Sequence, residues 1–143
     1  MKDHAGKFFS VWYGVYSRSA RTITYSNAGH PPAVLLTRQD GAQHLARTES
    51  CGSVLGIMPD YVAPEITINF PPGSELVLFT DGLYELLDKD GGRGSYDEFL
   101  HELRKQIVEG KPAWEAAQEW HNRARSENKI DDDVTLLRFA TTD

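Results

Sequence analysis

Apolar and polar residues alternate over residues 8–16: Phe9, Val11, Tyr13 and Val15 fall on one side, Ser10, Trp12 and Gly14 on the other. A period of two is the mark of a β-strand. Residues 17–21 are a polar turn, and further strands are predicted over residues 22–27 and 33–37. Between these two lies Asn27-Ala28-Gly29-His30-Pro31-Pro32, where glycine and a proline pair punctuate the sheet. Gln39-Asp40-Gly41 carries a hairpin-turn signal. Residues 47–61 are irregular and Gly-rich apart from the apolar Val54-Leu55-Gly56-Ile57-Met58. A strand over 66–70 leads through Pro71-Pro72-Gly73 into an apolar run that ends at Asp81. Residues 83–87 are read as a short helix and 88–94 as a polar Gly-rich loop. Phe99, Leu100, Leu103 and Ile107 recur at helical spacing, so residues 96–108 are predicted helical. A second helix over 113–125 starts after Pro112, and a last strand covers 134–140. Strands, then helices, then a strand is an α+β order rather than repeating βαβ units.

Charge and composition narrow the function. The chain has 143 residues, 40% of them hydrophobic, which suits one domain or part of one. The formal charge of −6 and the absence of a basic stripe argue against a nucleic-acid partner. No apolar stretch approaches the roughly 20 residues of a membrane span, and residues 1–7 lack the apolar core of a signal peptide. A single cysteine, Cys51, cannot form an intrachain disulfide. These features together predict a cytoplasmic chain with no membrane partner. Because the first strand opens almost at once, the chain reads as the C-terminal piece of a longer one.

The candidate chemistry lies in two acidic turns, each joined to a buried-strand pattern. Leu76-Val77-Leu78-Phe79-Thr80 runs into Asp81-Gly82, and Ile130-Asp131-Asp132-Asp133 opens Val134-Thr135-Leu136-Leu137. Asp-Gly alone is a common turn dipeptide. Three successive carboxylates at a strand entrance repel one another unless a cation or solvent absorbs the charge. Asp132 and Asp133, beside Val134, are the better ligand candidates; Asp131 reads as a solvated turn residue. Hard oxygen donors suit Mg²⁺ or Mn²⁺ rather than zinc. Two turns supply two or three carboxylates, whereas a two-metal hydrolytic centre also needs a bridging carboxylate.

Taken in order, Asn27-Ala28-Gly29-His30-Pro31-Pro32, Val54-Leu55-Gly56-Ile57, Pro72-Gly73, Leu76 to Glu85 and Asp132-Asp133-Val134-Thr135-Leu136-Leu137 closely resemble the C-terminal half of a PPM-type serine/threonine phosphatase domain. The SpoIIE- and RsbU-like bacterial branch is the best match, over nearly the whole chain. The resemblance implies a β-sandwich flanked by helices, with two Mn²⁺ or Mg²⁺ ions at one end in the complete domain. It implies that Asp81 and Asp132 ligate one ion, that Gly82 belongs to the same metal-binding turn, and that Asp133 supports the site. It implies hydrolysis of phosphoserine or phosphothreonine on a regulatory protein of the anti-sigma-factor-antagonist type, by metal-activated water. An upstream sensor or receiver domain is expected in the parent chain. The stretch around His30 matches a family hallmark and is read as structural, with His30 capping a turn.

The family's Asp-x-x-Gly-His-Gly-type motif, which carries the bridging Asp, has no counterpart here. Asn27-Ala28-Gly29-His30 and Asp3-His4-Ala5-Gly6 are the nearest strings and have a different context. The piece by itself is therefore expected to be inactive and to self-associate through uncovered sheet. The competing reading is a degenerate or truncated phosphatase-like module that binds a partner without turnover. A haloacid-dehalogenase reading of Asp81 fails because its nucleophilic Asp would stand at Phe79. A cysteine-phosphatase reading fails because Cys51-Gly52-Ser53-Val54-Leu55 lacks the phosphate-binding Arg. His101 and His121 are placed on helix surfaces, Glu85 in a first helical turn where it would favour the dipole, and Trp114 and Trp120 on helix faces packed against a sheet.

Overall fold

A computed structural model describes residues 6–39, 42–50 and 52–142. The Asp3 to Ala5 string, the Asp40-Gly41 hairpin tip and Cys51 lie outside the described residues. Among the described residues, seven strands and two α-helices follow in order: β1 (Val11–Ser17), β2 (Thr22–Ala28), β3 (Val34–Gln39), β4 (Ala42–Arg47), β5 (Ile66–Asn69), β6 (Glu75–Phe79), α1 (Tyr96–Val108), α2 (Ala113–Ser126) and β7 (Leu136–Ala140). The strands form two antiparallel sheets, ordered β1-β2-β5 and β4-β3-β6-β7.

The sheets stack, and the helices cover the outer face of the four-stranded one. β6 sits at the centre of this arrangement and is buried along nearly its whole length, which explains its unbroken apolar run. Val77 and Phe79 join Phe99, Leu100, Leu103, Ala116 and others under the helices. Leu76 and Leu78 face the other sheet, where Ile23, Tyr25 and Phe70 pack. Successive residues of one strand therefore serve two cores.

Three expectations are corrected. β4 was not among the predicted strands. Residues 83–87 do not form a helix: a single 3-10 turn spans Asp81–Leu83, after which Leu87 donates to the Lys129 carbonyl and pairs with Arg93 across a small bridge. Tertiary hydrogen bonds draw this segment away before a helical turn can propagate. The last strand starts at Leu136 rather than Val134. On β1, Trp12 and Tyr16 pack inward, Trp12 stacking on Tyr25 at 5.2 Å. Phe9, Tyr13 and Val15 are exposed.

Candidate metal centre

β6 and β7 pair antiparallel from Glu75↔Ala140 to Phe79↔Leu136. This register delivers the end of β6 and the start of β7 to the same edge, so the turn after one meets the turn before the other. Thr80 joins them. Its backbone N–H donates to the Thr135 carbonyl at 3.1 Å. Its hydroxyl donates to the Asp133 carbonyl at 2.9 Å and accepts from the Thr135 N–H at 2.9 Å.

The Asp81-Gly82 turn rests directly on the acidic backbone. A Cβ placed on buried Gly82 would stand 2.7 Å from the Asp133 carbonyl oxygen and 3.1 Å from that of Asp132. Only a hydrogen fits there, which gives the glycine a packing reason beyond turn formation. Both candidate ligands are fixed by their neighbours. Asp81 Oδ1 accepts from the Gly82 N–H at 3.1 Å, and Asp132 Oδ1 accepts from the Asp133 N–H at 2.7 Å. Each carboxylate thus has one oxygen oriented by an adjacent backbone N–H. Asp81, Asp132 and Asp133 are all solvent-exposed.

Asp131 is not merely solvated. Its Oδ2 accepts from Arg93 Nη2 at 3.1 Å, and Arg93 Nη1 meets Glu85 Oε2 at 3.4 Å. Glu85 therefore anchors an arginine rather than a helix dipole. Asn27 is fully buried, and its Oδ1 accepts from the His30 N–H at 2.9 Å, so Asn27 is the capping side chain. His30 Nδ1 lies 2.8 Å from the Pro31 carbonyl. His121 is half-buried and, with Arg125, lines a cleft against Asp132 and Asp133. Trp114 and Trp120 pack on the helix–sheet core as expected, and Trp120 Nε1 donates to the Leu83 carbonyl at 2.9 Å.

Thr80, Arg93, His121 and Arg125 were missed as parts of this region. Thr80 and Arg93 act through strand register and a tertiary bridge, which have no local sequence signal. The four-residue spacing of His121 and Arg125 was available, but only the packing of α2 shows where that face points.

Comparison with known proteins places the chain in a family. The Bacillus subtilis (strain 168) protein named phosphoserine phosphatase RsbU is 31% identical over 87 residues, covering 61% of this chain and 25% of the relative. The chain thus spans about a quarter of that protein's length. A solved structure of the RsbU and RsbW domains of a Mycobacterium tuberculosis protein superposes with a TM-score of 0.68 at 24% identity, over 90% of this chain and 35% of the other. The phosphatase domain of the cell fate determinant SpoIIE from Bacillus subtilis, presoaked in Mn, gives 0.61 at 15% identity, over 93% and 56%. These likenesses establish a shared fold. A family model described as stage II sporulation protein E (SpoIIE) matches residues 1–142, and the chain belongs to that family.

Proposed function

We propose that this chain supplies the cation-holding turns of a metal-dependent phosphatase that removes phosphate from serine or threonine of a regulatory protein. The reading rests on one observation above all: the Asp81-Gly82 turn seated against the Asp132-Asp133 backbone. Mg²⁺-type ions commonly take one or two carboxylates and complete their shell with water and substrate phosphate. The donor set here fits that habit. Asp81 and Asp132 would hold Mn²⁺ or Mg²⁺, with Gly82 in the same turn and Asp133 beside it. A bound ion of this kind lowers the pKa of water and neutralises phosphate charge. Thr80 keeps the two turns in register, and the backbone N–H groups of Gly82 and Asp133 aim the carboxylates. The name of the RsbU relative supports a phosphoserine substrate, and the pairing of RsbU with RsbW domains in a structural relative supports a regulatory protein as partner.

A second reading, a binding module without turnover, is favoured by one observation. The sequence carries no counterpart of the Asp-x-x-Gly-His-Gly-type motif that would supply the bridging carboxylate. The experiment is a calorimetric Mn²⁺ titration with parallel hydrolysis of p-nitrophenyl phosphate and a phosphoserine protein. Mn²⁺ binding that disappears in Asp81→Asn and Asp132→Asn, with the metal-free melting temperature unchanged, is expected. Because the piece by itself is expected to be inactive, turnover is compared with a version joined to a segment that carries the bridging-Asp motif: turnover there supports the enzyme, and Mn²⁺ binding without turnover there supports the module. A large drop in metal-free stability for Asp132→Asn would make that residue structural instead.

A further inference from the structure

The two acidic turns are joined a second time, outside the strand ends that Thr80 ties. Residues 86–94 form a short hairpin. Leu87 bridges Arg93, the Asp88 N–H donates to the Gly92 carbonyl at 2.9 Å, and the Gly94 N–H donates to the Leu86 carbonyl at 2.8 Å. Gly91, with φ at 78°, makes the bend. This hairpin is fixed on two sides. A Cβ on Gly94 would stand 2.5 Å from the Tyr84 carbonyl oxygen, and the Leu87 N–H donates to the Lys129 carbonyl at 2.8 Å. It therefore touches the chain just after Asp81-Gly82 and just before Asp131.

The side chain of Arg93 spans the same gap. Its Nη1 lies 3.4 Å from Glu85 Oε2 and its Nη2 3.1 Å from Asp131 Oδ2. Glu85 is bonded directly to the first turn, its N–H donating to the Asp81 carbonyl at 2.9 Å. Asp131 directly precedes Asp132. An isolated surface ion pair contributes little, but a network of charges on a held backbone is the exception. The arginine also distinguishes the three consecutive carboxylates, which repel one another. Among the described residues, Asp131 alone of the three has an ion pair, and Asp132 Oδ1 meets only a backbone N–H. We propose that Arg93 is a positioning residue for the cation site: its guanidinium clamps Glu85 to Asp131 and thereby holds the Asp81 and Asp132 turns in one fixed relation. The proposal rests on the cation-holding reading above and deepens it.

Arg93→Lys separates position from charge, because an ammonium keeps the charge but lacks the fork that joins two carboxylates. Two readouts are taken: Mn²⁺ affinity by calorimetry, and amide hydrogen exchange of the metal-free chain at Gly82 and Asp133, whose N–H groups bond the Asp81 and Asp132 carboxylates. Arg93→Lys should weaken Mn²⁺ binding about tenfold, the low end for groups that orient metal ligands, and quicken exchange at both amides severalfold. In an Asp131→Asn background, where the tie is already cut, the same substitution should cost nothing further. Wild-type Mn²⁺ affinity in Arg93→Lys, with tighter binding in Arg93→Ala, would overturn the assignment, since the residue would then act by charge alone. A lowered melting temperature with unchanged Mn²⁺ affinity would overturn it as well, leaving Arg93 a structural tie and the phosphatase reading in place. A wild-type chain that takes up no Mn²⁺ would remove the cation site and this proposal together.

Discussion

Gly82 is the residue on which the convergence of the two turns depends. Its φ is not in the left-handed region, so alanine is tolerated by the backbone and refused by the neighbouring carbonyls. Gly82→Ala must push the Asp132-Asp133 backbone away from β6. The expected cost is about 1–3 kcal/mol of stability, as for other overpacked sites, with a fall in Mn²⁺ affinity; thermal melts and a Mn²⁺ titration check both. Tyr84, just beyond, reports the same surroundings through its proton. Burial first, then the Asp81 and Glu85 carboxylates, push its phenol up to about 12 from 10.0. The folded chain therefore holds this proton more tightly than the unfolded chain. The linked stability is fully present below about pH 10 and is lost as pH rises through about 12. Tyr84→Phe should match the wild type at neutral pH and lose less stability over that alkaline window in the metal-free chain. Tyr96, raised mainly by burial as well, keeps the loss from vanishing. Denaturant melts at stepped pH test this.

The elements are tied to one another by polar groups as well as by apolar faces. α1 opens with a full capping box, Ser95 accepting from the Glu98 N–H and Glu98 accepting from the Ser95 N–H. α2 opens on Pro112 without a side-chain cap of its own. Glu75, buried at the start of β6, does this work from another element: Oε1 accepts from the Trp114 N–H at 3.0 Å and Oε2 pairs with Arg138 at 3.1 Å. Glu75→Ala should cost about 1–3 kcal/mol, the penalty for orphaned buried polar groups. It should leave Mn²⁺ affinity intact, since Glu75 lies at the opposite end of β6 from Asp81; melts and titration would show the separation. Such cross-element caps mark where the sequence stops being readable. β6 was legible because its apolar run is long and bounded by Pro-Gly and Asp-Gly, and α1 because four apolar residues recur at helical spacing. β4 was not, because Ala42-Gln43-His44-Leu45-Ala46-Arg47 has one large apolar residue and weak β propensity; pairing with β3 makes it a strand. Residues 83–87 misled because Leu-Tyr-Glu-Leu-Leu suits a helix, while the Lys129 carbonyl and Arg93 claim the segment. The two acidic turns were visible as strings, but their meeting depends on the β6–β7 register.

At the scale of the molecule, the two sheets open on one side. β1 ends one sheet and β7 ends the other among the described strands. Trp12, Tyr13, Leu78, Thr80, Thr135 and Leu137 line a cleft of about 390 Å³ there. Tyr13 is 66% exposed, Val15 53% and Leu137 54%, an apolar surface beside unpaired strand edges. Edges of this kind template pairing with another chain. Self-association rising with concentration is the expected outcome in sedimentation experiments. Tyr13→Lys combined with Leu137→Lys should hold the chain monomeric and shift stability by only about 0.5 kcal/mol, as surface changes usually do. The cleft also contains Thr80 and Thr135, the residues that lock the acidic turns together. Association through this side would therefore crowd the candidate metal centre, and apparent Mn²⁺ affinity should fall as protein concentration rises. The double lysine variant should bind Mn²⁺ with one affinity at every concentration. A wild-type chain that stays monomeric, or a concentration dependence that survives in the variant, would show that these edges do not carry the contact.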